Sequence, residues 1–158
     1  MNNIEDTIKK IGIAISELAN ENEGLFLGTG GPLLFFSYYS KFTKNQWTQS
    51  FFDKYYDICL NAISNGVYNP SFCDGAPGLI YLLNLLNKEG LIEVDLTDVW
   101  KFYDKYIHMA LEKVLIGGEV DFLYTGAGLL YYFANRDYVD EKAINHYVDL
   151  IEDCSIKL

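Results

Sequence analysis

Gly75-Ala76-Pro77-Gly78-Leu79-Ile80-Tyr81-Leu82-Leu83 is a glycine-bearing turn that runs straight into an apolar, helix-like segment. The chain does this three times. Upstream the device reads Gly28-Thr29-Gly30-Gly31-Pro32-Leu33-Leu34-Phe35-Phe36, and downstream Gly126-Ala127-Gly128-Leu129-Leu130-Tyr131-Tyr132-Phe133. Measured on Gly31, Gly78 and Gly128, the copies lie 47 and 50 residues apart. A period of this length marks a repeat architecture in which each copy is one supersecondary unit.

The segments between the turns complete the unit. Ile4, Ile8, Ile11, Ile15 and Leu18 recur at three- and four-residue steps, one face of a helix ending near Asn20. Residues 32–42 form an almost wholly apolar helix with Pro32 in its first turn, expected to be buried on nearly all sides. Asn45 then caps a long amphipathic helix whose stripe runs through Trp47, Phe51, Tyr55, Ile58, Cys59, Ala62 and Ile63 and which stops at Asn65-Gly66. The second cycle places a short apolar helix up to Lys88, a break at Glu89-Gly90 and a long helix from Asp95 or Thr97 to Gly117-Gly118. The third places a helix up to Asn135 and a last one from about Tyr138. No strand-like alternation extends beyond a few residues. Buried short helices beside amphipathic long ones predict an all-α fold, a partial α/α toroid of about three helical hairpins, with Gly28, Gly31, Gly75, Gly78, Gly126 and Gly128 as its structural turns.

Composition narrows the class. Of 158 residues, 50% are hydrophobic and 16% aromatic, enough for one domain with a real core. The formal net charge of −10 argues against nucleic-acid binding, which needs a basic face. Three cysteines without a CxxC pair argue against a disulfide framework and for reduced thiols, and the acidic N-terminus carries no signal-like core. No apolar run is long enough to span a membrane. The cytoplasm is the expected compartment.

The turns, read as Gly24-Leu25-Phe26-Leu27-Gly28-Thr29-Gly30-Gly31, Ser71-Phe72-Cys73-Asp74-Gly75-Ala76-Pro77-Gly78-Leu79-Ile80 and Asp121-Phe122-Leu123-Tyr124-Thr125-Gly126-Ala127-Gly128, resemble those of the lanthionine synthetase C-like family. That family repeats Gly-x-x-Gly turns before the inner helices of a double-ring α/α barrel. The first two turns keep the spacing; the third has Thr125 in place of the leading glycine, and a distorted turn is expected there. The resemblance implies a zinc-dependent cyclase that adds peptide cysteine thiols to dehydroamino acids, working with a dehydratase partner. It also implies about seven hairpins, so residues 1–158 are expected to be the N-terminal part of a longer barrel, with apolar repeat edges prone to self-association.

Family zinc ligands sit in Cys-x-Gly and Cys-His-Gly turns. Only Cys73-Asp74-Gly75 is similar, with Asp74 where a histidine is needed, while His108 and His146 lie within helices. No metal site and no catalytic residue is therefore assigned to this chain, zinc being expected only in the full-length family member. Cys73 otherwise reads as a small packed turn residue, Cys59 as core, and Cys154 has no suggested role. Asp74, Asp121, Cys73, Thr29 and Thr125 are the candidates for facing a central cavity; the alternative for the aspartates and threonines is capping of the next helix or its turn. Paired carboxylates also leave open a carbohydrate-active α/α barrel using Asp74 or Asp121. A non-catalytic helical-repeat scaffold that docks a peptide is the other alternative. Gly28-Thr29-Gly30-Gly31 lacks the following Gly-Lys-Ser/Thr of a phosphate loop. The aromatic runs 35–39 and 131–133 read as packed core, with a peptide or sugar groove as the alternative.

Overall fold

A computed structural model describes residues 2–17, 22–136 and 139–155. Among these, all regular structure is helical: α1 (Asn2–Glu17), α2 (Gly30–Thr43), α3 (Gln46–Asn65), α4 (Ala76–Lys88), α5 (Thr97–Ile116), α6 (Gly126–Ala134) and α7 (Glu141–Ser155). The three short helices that open on glycine turns, α2, α4 and α6, stand side by side as an inner layer, α4 between the other two. The chain therefore forms three hairpins, α2–α3, α4–α5 and α6–α7. Each outer helix also packs on the following inner one, α3 on α4 and α5 on α6, and α1 holds the corresponding place beside α2.

Local chemistry sets the helix ends. The Asn45 carboxamide accepts the Thr48 N–H at 2.9 Å, closing the first turn of α3 as expected. Gly66, Gly90 and Gly118 all take positive φ at the breaks read from the sequence. Lys44 does so as well (φ 51°), a left-handed link between α2 and α3 that its side chain does not announce. Leu18, Asn20 and Tyr138, used above to place the ends of α1 and α7, lie outside the described residues.

The core follows the two-layer plan. Leu33 and Phe36 of α2, Leu79, Ile80, Leu82, Leu83 and Leu86 of α4, and Leu129, Tyr132 and Phe133 of α6 are buried against Tyr55, Cys59, Tyr103, Ile107, Leu111 and Leu115 of the outer helices. The Tyr103 hydroxyl donates to the Ile63 carbonyl (2.7 Å) and accepts the Val67 N–H (3.1 Å), tying α5 to the end of α3.

One expectation fails. The all-round apolar helix α2 is not buried all round: Tyr38 and Phe42 are exposed, and with Ile8, Leu34 and Leu85 they line an open groove of about 740 Å³. Its outer side packs on α3 and its flank on α4, but among the described residues nothing covers its third side. On α1, Ile4 and Ile11 are likewise exposed, and only Ile8 and Ile15 of the periodic face pack inward.

Candidate functional site at the glycine-turn mouth

The three turns close in the same way. Thr29, Ala76 and Gly126 each donate their N–H to the carbonyl seven residues back, on Asn22, Asn69 and Glu119, each at 3.2 Å. This fixes the equivalence of the copies by geometry and reproduces the 47- and 50-residue spacing. The expected distortion of the third turn is confined to its leading position: ψ is −140° at Thr125 against −173° at Gly75, with φ near −130° in both. Both are extended conformations with negative φ, so a side chain is tolerated there and the closing bond survives.

The turns are then stitched to one another. Phe26 N–H donates to the Cys73 carbonyl (3.1 Å), and Cys73 N–H donates to the Leu123 carbonyl (2.7 Å). Phe26, Cys73 and Leu123 are equivalent residues, so one main-chain bond recurs from turn to turn. Leu25 N–H shares the Cys73 carbonyl at 2.8 Å, and the Ser71 hydroxyl donates to the Leu123 carbonyl at 3.2 Å. A second recurring contact seats a side chain on a glycine. Cβ of Leu25 faces Gly78, where an added Cβ would meet it at 2.9 Å; Cβ of Phe72 faces Gly128, with the corresponding distance 2.7 Å. Only glycine leaves room for these knobs.

The stitched turns form one end of the inner layer, and here the candidate residues separate. Thr29 is buried in the core, its hydroxyl 3.5 Å from the Cys59 thiol, rather than at a cavity. Burial raises that thiol to about 11, the Thr29 contact opposing the shift. Cys73 is buried too, and its main chain carries the stitching; burial, then a hydrogen bond to the Asp74 carboxylate, raises its thiol above the ordinary value. Neither thiol is poised as a nucleophile. Asp121 is exposed, and its carboxylate accepts the Tyr124 N–H at 2.7 Å, while Thr125 donates its hydroxyl to the Asp121 carbonyl at 3.2 Å. Asp121 thus caps its own turn and not α6; in turn 2 the same task falls to Ser71, whose hydroxyl accepts the Asp74 N–H at 3.2 Å. Asp74 does not cap α4, whose N-cap is Gly75; it lines a groove of about 620 Å³ with Glu23 and Asn69, one carboxylate oxygen buried without a hydrogen-bond partner. Thr29 and Thr125 occupy N-cap positions without a side-chain capping bond.

Around these residues the mouth is apolar and aromatic. Phe26, Leu27, Phe122, Leu123 and Tyr124 are exposed, and Tyr81 and Tyr131, equivalent positions of α4 and α6, bring their hydroxyls within 3.3 Å on the inner face. Burial and the neighbouring Tyr131 hydroxyl raise Tyr81 to about 12. These residues were read from the sequence only as packed aromatic runs; the signal available was their recurrence at the repeat period. A polar cluster of the third hairpin also escaped notice. Asp104 pairs bidentately with Arg136 and accepts the Tyr132 hydroxyl at 3.2 Å, and His108, stacked on Phe133 at 3.9 Å, shares a 2.7 Å hydrogen bond with the Tyr147 hydroxyl.

The family model for lanthionine synthetase C-like proteins matches residues 5–158. The chain belongs to the lanthionine synthetase C-like family. No curated protein matches it, and no solved structure does. Zinc is the metal this family implies, and the residues present do not fit it. Among the described residues no three His, Cys, Asp or Glu side chains come together as metal donors. Cys73 has only Asp74, Tyr124 and Asp121 as titratable neighbours, whereas His108 is engaged by Tyr147 away from the turns. No described helix is long and apolar enough to cross a membrane.

Proposed function

We propose that this chain is the N-terminal part of a lanthionine synthetase C-like toroid and that it supplies the platform on which a peptide rests during thioether ring closure. The observation that carries this reading is the stitched mouth: a main-chain ladder holds Phe26, Leu27, Phe122, Leu123 and Tyr124 exposed beside one another. Apolar side chains held out on a rigid backbone suit a peptide, and the family match supplies the peptide class. In the family reaction the peptide's cysteine sulfur bonds to the β-carbon of a dehydroalanine or dehydrobutyrine, and the α-carbon takes up a proton. Activation of that thiol requires zinc-binding turns that these 158 residues do not carry, so the chain by itself is inactive. A dehydratase that produces the dehydroamino acid is the implied partner, and the cytoplasm, where Cys59 and Cys73 remain thiols, the implied compartment.

The test uses a synthetic peptide carrying one dehydroalanine and one cysteine. Fluorescence anisotropy is expected to detect binding, weakened by Tyr124→Ala and by Phe26→Ala. Ring closure conserves mass, so it is followed as loss of alkylatable thiol, and none is expected with or without added zinc. Absence of binding removes the platform reading. Stoichiometric zinc that disappears in Cys73→Ala overturns the statement that this chain lacks the metal site. The carbohydrate reading draws no support from the mouth, because the Asp121 carboxylate is committed to its own turn.

A further inference from the structure

The repeat contacts leave one knob and one socket unmatched. At the two interior junctions a side chain of one turn sits on a glycine of the next, Leu25 on Gly78 and Phe72 on Gly128, and a main-chain N–H passes forward, Phe26 to Cys73 and Cys73 to Leu123. The equivalent knob of turn 3 is Phe122, 43% exposed where Phe72 is 2% exposed. The equivalent socket of turn 1 is Gly31, where an added Cβ would meet only the Leu25 carbonyl oxygen at 3.7 Å and which opens into the apolar groove beside α2. Among the described residues the Leu123 N–H has no main-chain acceptor and the Phe26 carbonyl no main-chain donor.

We infer that these two edges are complementary and that a second copy of the chain docks head to tail, its turn 1 following turn 3 of the first. Phe122 then sits on Gly31 of the second copy, and the Leu123 N–H donates to the Phe26 carbonyl of that copy, as the interior junctions require. The choice of a second copy rests on continuity with those junctions: the missing halves of the contact are carried by the chain itself, in the register that its own repeats use twice. The contact is heterologous, so it leaves a free edge at each end of a pair unless the ring closes. At each interior junction the preceding outer helix packs on the inner helix, a place that α1 holds beside α2. The joining copy brings α7 to the same place, so α1, with Ile4 and Ile11 exposed, gives way.

The experiment is sedimentation velocity over a concentration series of the full chain, at salt sufficient to screen its net charge of −10. The parent is expected to shift from monomer to larger species as concentration rises, with faster amide exchange in α1 of the associated form. Gly31→Trp fills the socket, and Phe122→Asp removes the knob; each alone is expected to stay monomeric with the parent's circular dichroism. Gly31 has space for a side chain, so its variant keeps the test valid if Phe122→Asp disturbs turn 3. Mixing the two variants restores one intact knob and one intact socket, and is expected to give a dimer that grows no further. A parent that stays monomeric throughout, variants that associate as the parent does, or a mixture no larger than its components overturns the proposal.

Discussion

Turn 2 and turn 3 share a backbone and differ in what surrounds them. Both close through the same 3.2 Å hydrogen bond to the carbonyl seven residues back, and both present the same sequence of roles: capping side chain, aromatic knob, stitching residue, socket glycine. Yet Phe72 and Cys73 are buried while Phe122 and Leu123 stand exposed. The conformation of a turn is therefore a local property of its residues, and its burial is conferred by the next repeat. This is the division expected of a quasi-one-dimensional fold, where stability sums an intrinsic term and a neighbour term.

The sharpest way to break that division is to add one methyl to a socket. Gly78→Ala and Gly128→Ala place a Cβ under 3.0 Å from a main-chain carbonyl (Phe72 or Phe122), a clash no side-chain rotation relieves. Gly78→Ala is expected to cost roughly 3 kcal/mol or more in urea melts, or to prevent folding. Gly31→Ala, the open socket, has only an ordinary contact and sits in the first turn of α2. Its expected effect is within about 1 kcal/mol of zero, on the stabilising side through helix propensity. Equal effects at Gly31 and Gly78 would mean that the sockets are set by turn conformation and not by the neighbour.

The knobs give the next effect. Phe72→Ala empties a site bounded by Tyr81, Phe122 and Tyr131 and is expected to cost about 3–5 kcal/mol, whereas Phe122→Ala removes a half-exposed ring and is expected to cost about 1 kcal/mol or less. Thermal melts of the two variants side by side give the difference directly.

How much of this was legible in the sequence follows the same line. Helix starts and stops are local chemistry, and Asn45, Gly66, Gly90 and Gly118 announced theirs; Lys44 did not, because nothing in a lysine side chain prefers positive φ. The repeat period was legible because glycine sockets recur wherever neighbours approach closely. The stitching was not, since a main-chain bond between Cys73 and Leu123 uses no distinctive side chain. Burial was misjudged where it depends on a neighbour: α2 reads as apolar on all sides, but Tyr38 and Phe42 have no facing element among the described residues. Asp121 and Ser71 show the remaining difficulty. They do one task at equivalent positions with different chemistry, so a search for carboxylates finds half of the pair.

That pair carries a smaller effect. The Ser71 hydroxyl both accepts the Asp74 N–H and donates to turn 3, in a buried setting, so Ser71→Ala is expected to cost roughly 1–2 kcal/mol. Asp121 accepts one N–H at an exposed turn, and Asp121→Ala is expected to cost roughly 0.5–1 kcal/mol. A cost at Asp121 equal to that at Ser71 would mean that the link to turn 3 contributes nothing beyond the cap.

The smallest expected effect concerns how the third hairpin is held. The second is sealed by α4, whose buried side chains are apolar except Asn84, whereas α7 is joined to α5 through the His108–Tyr147 hydrogen bond, a link that titrates. Burial lowers the His108 pKa from its ordinary 6.5; Asp104 of its own helix and Asp140 at the start of α7 oppose that shift, while Arg136 at the end of α6 reinforces it. The folded state thus binds this proton less readily than the unfolded chain does. The sign follows: the neutral imidazole's contribution is fully present above pH 6.5 and is lost as pH falls through the lower folded value. Because carboxylates titrate in the same range, the measurement is a difference, the stability of the parent minus that of His108→Gln across pH 5 to 8. That difference is expected to narrow on acidification, with the amides of α7 losing exchange protection before those of α4. A difference that stays flat with pH would show that α7 docks through Ile144 and Tyr147 packing alone, which would make the third hairpin as apolar in its attachment as the second.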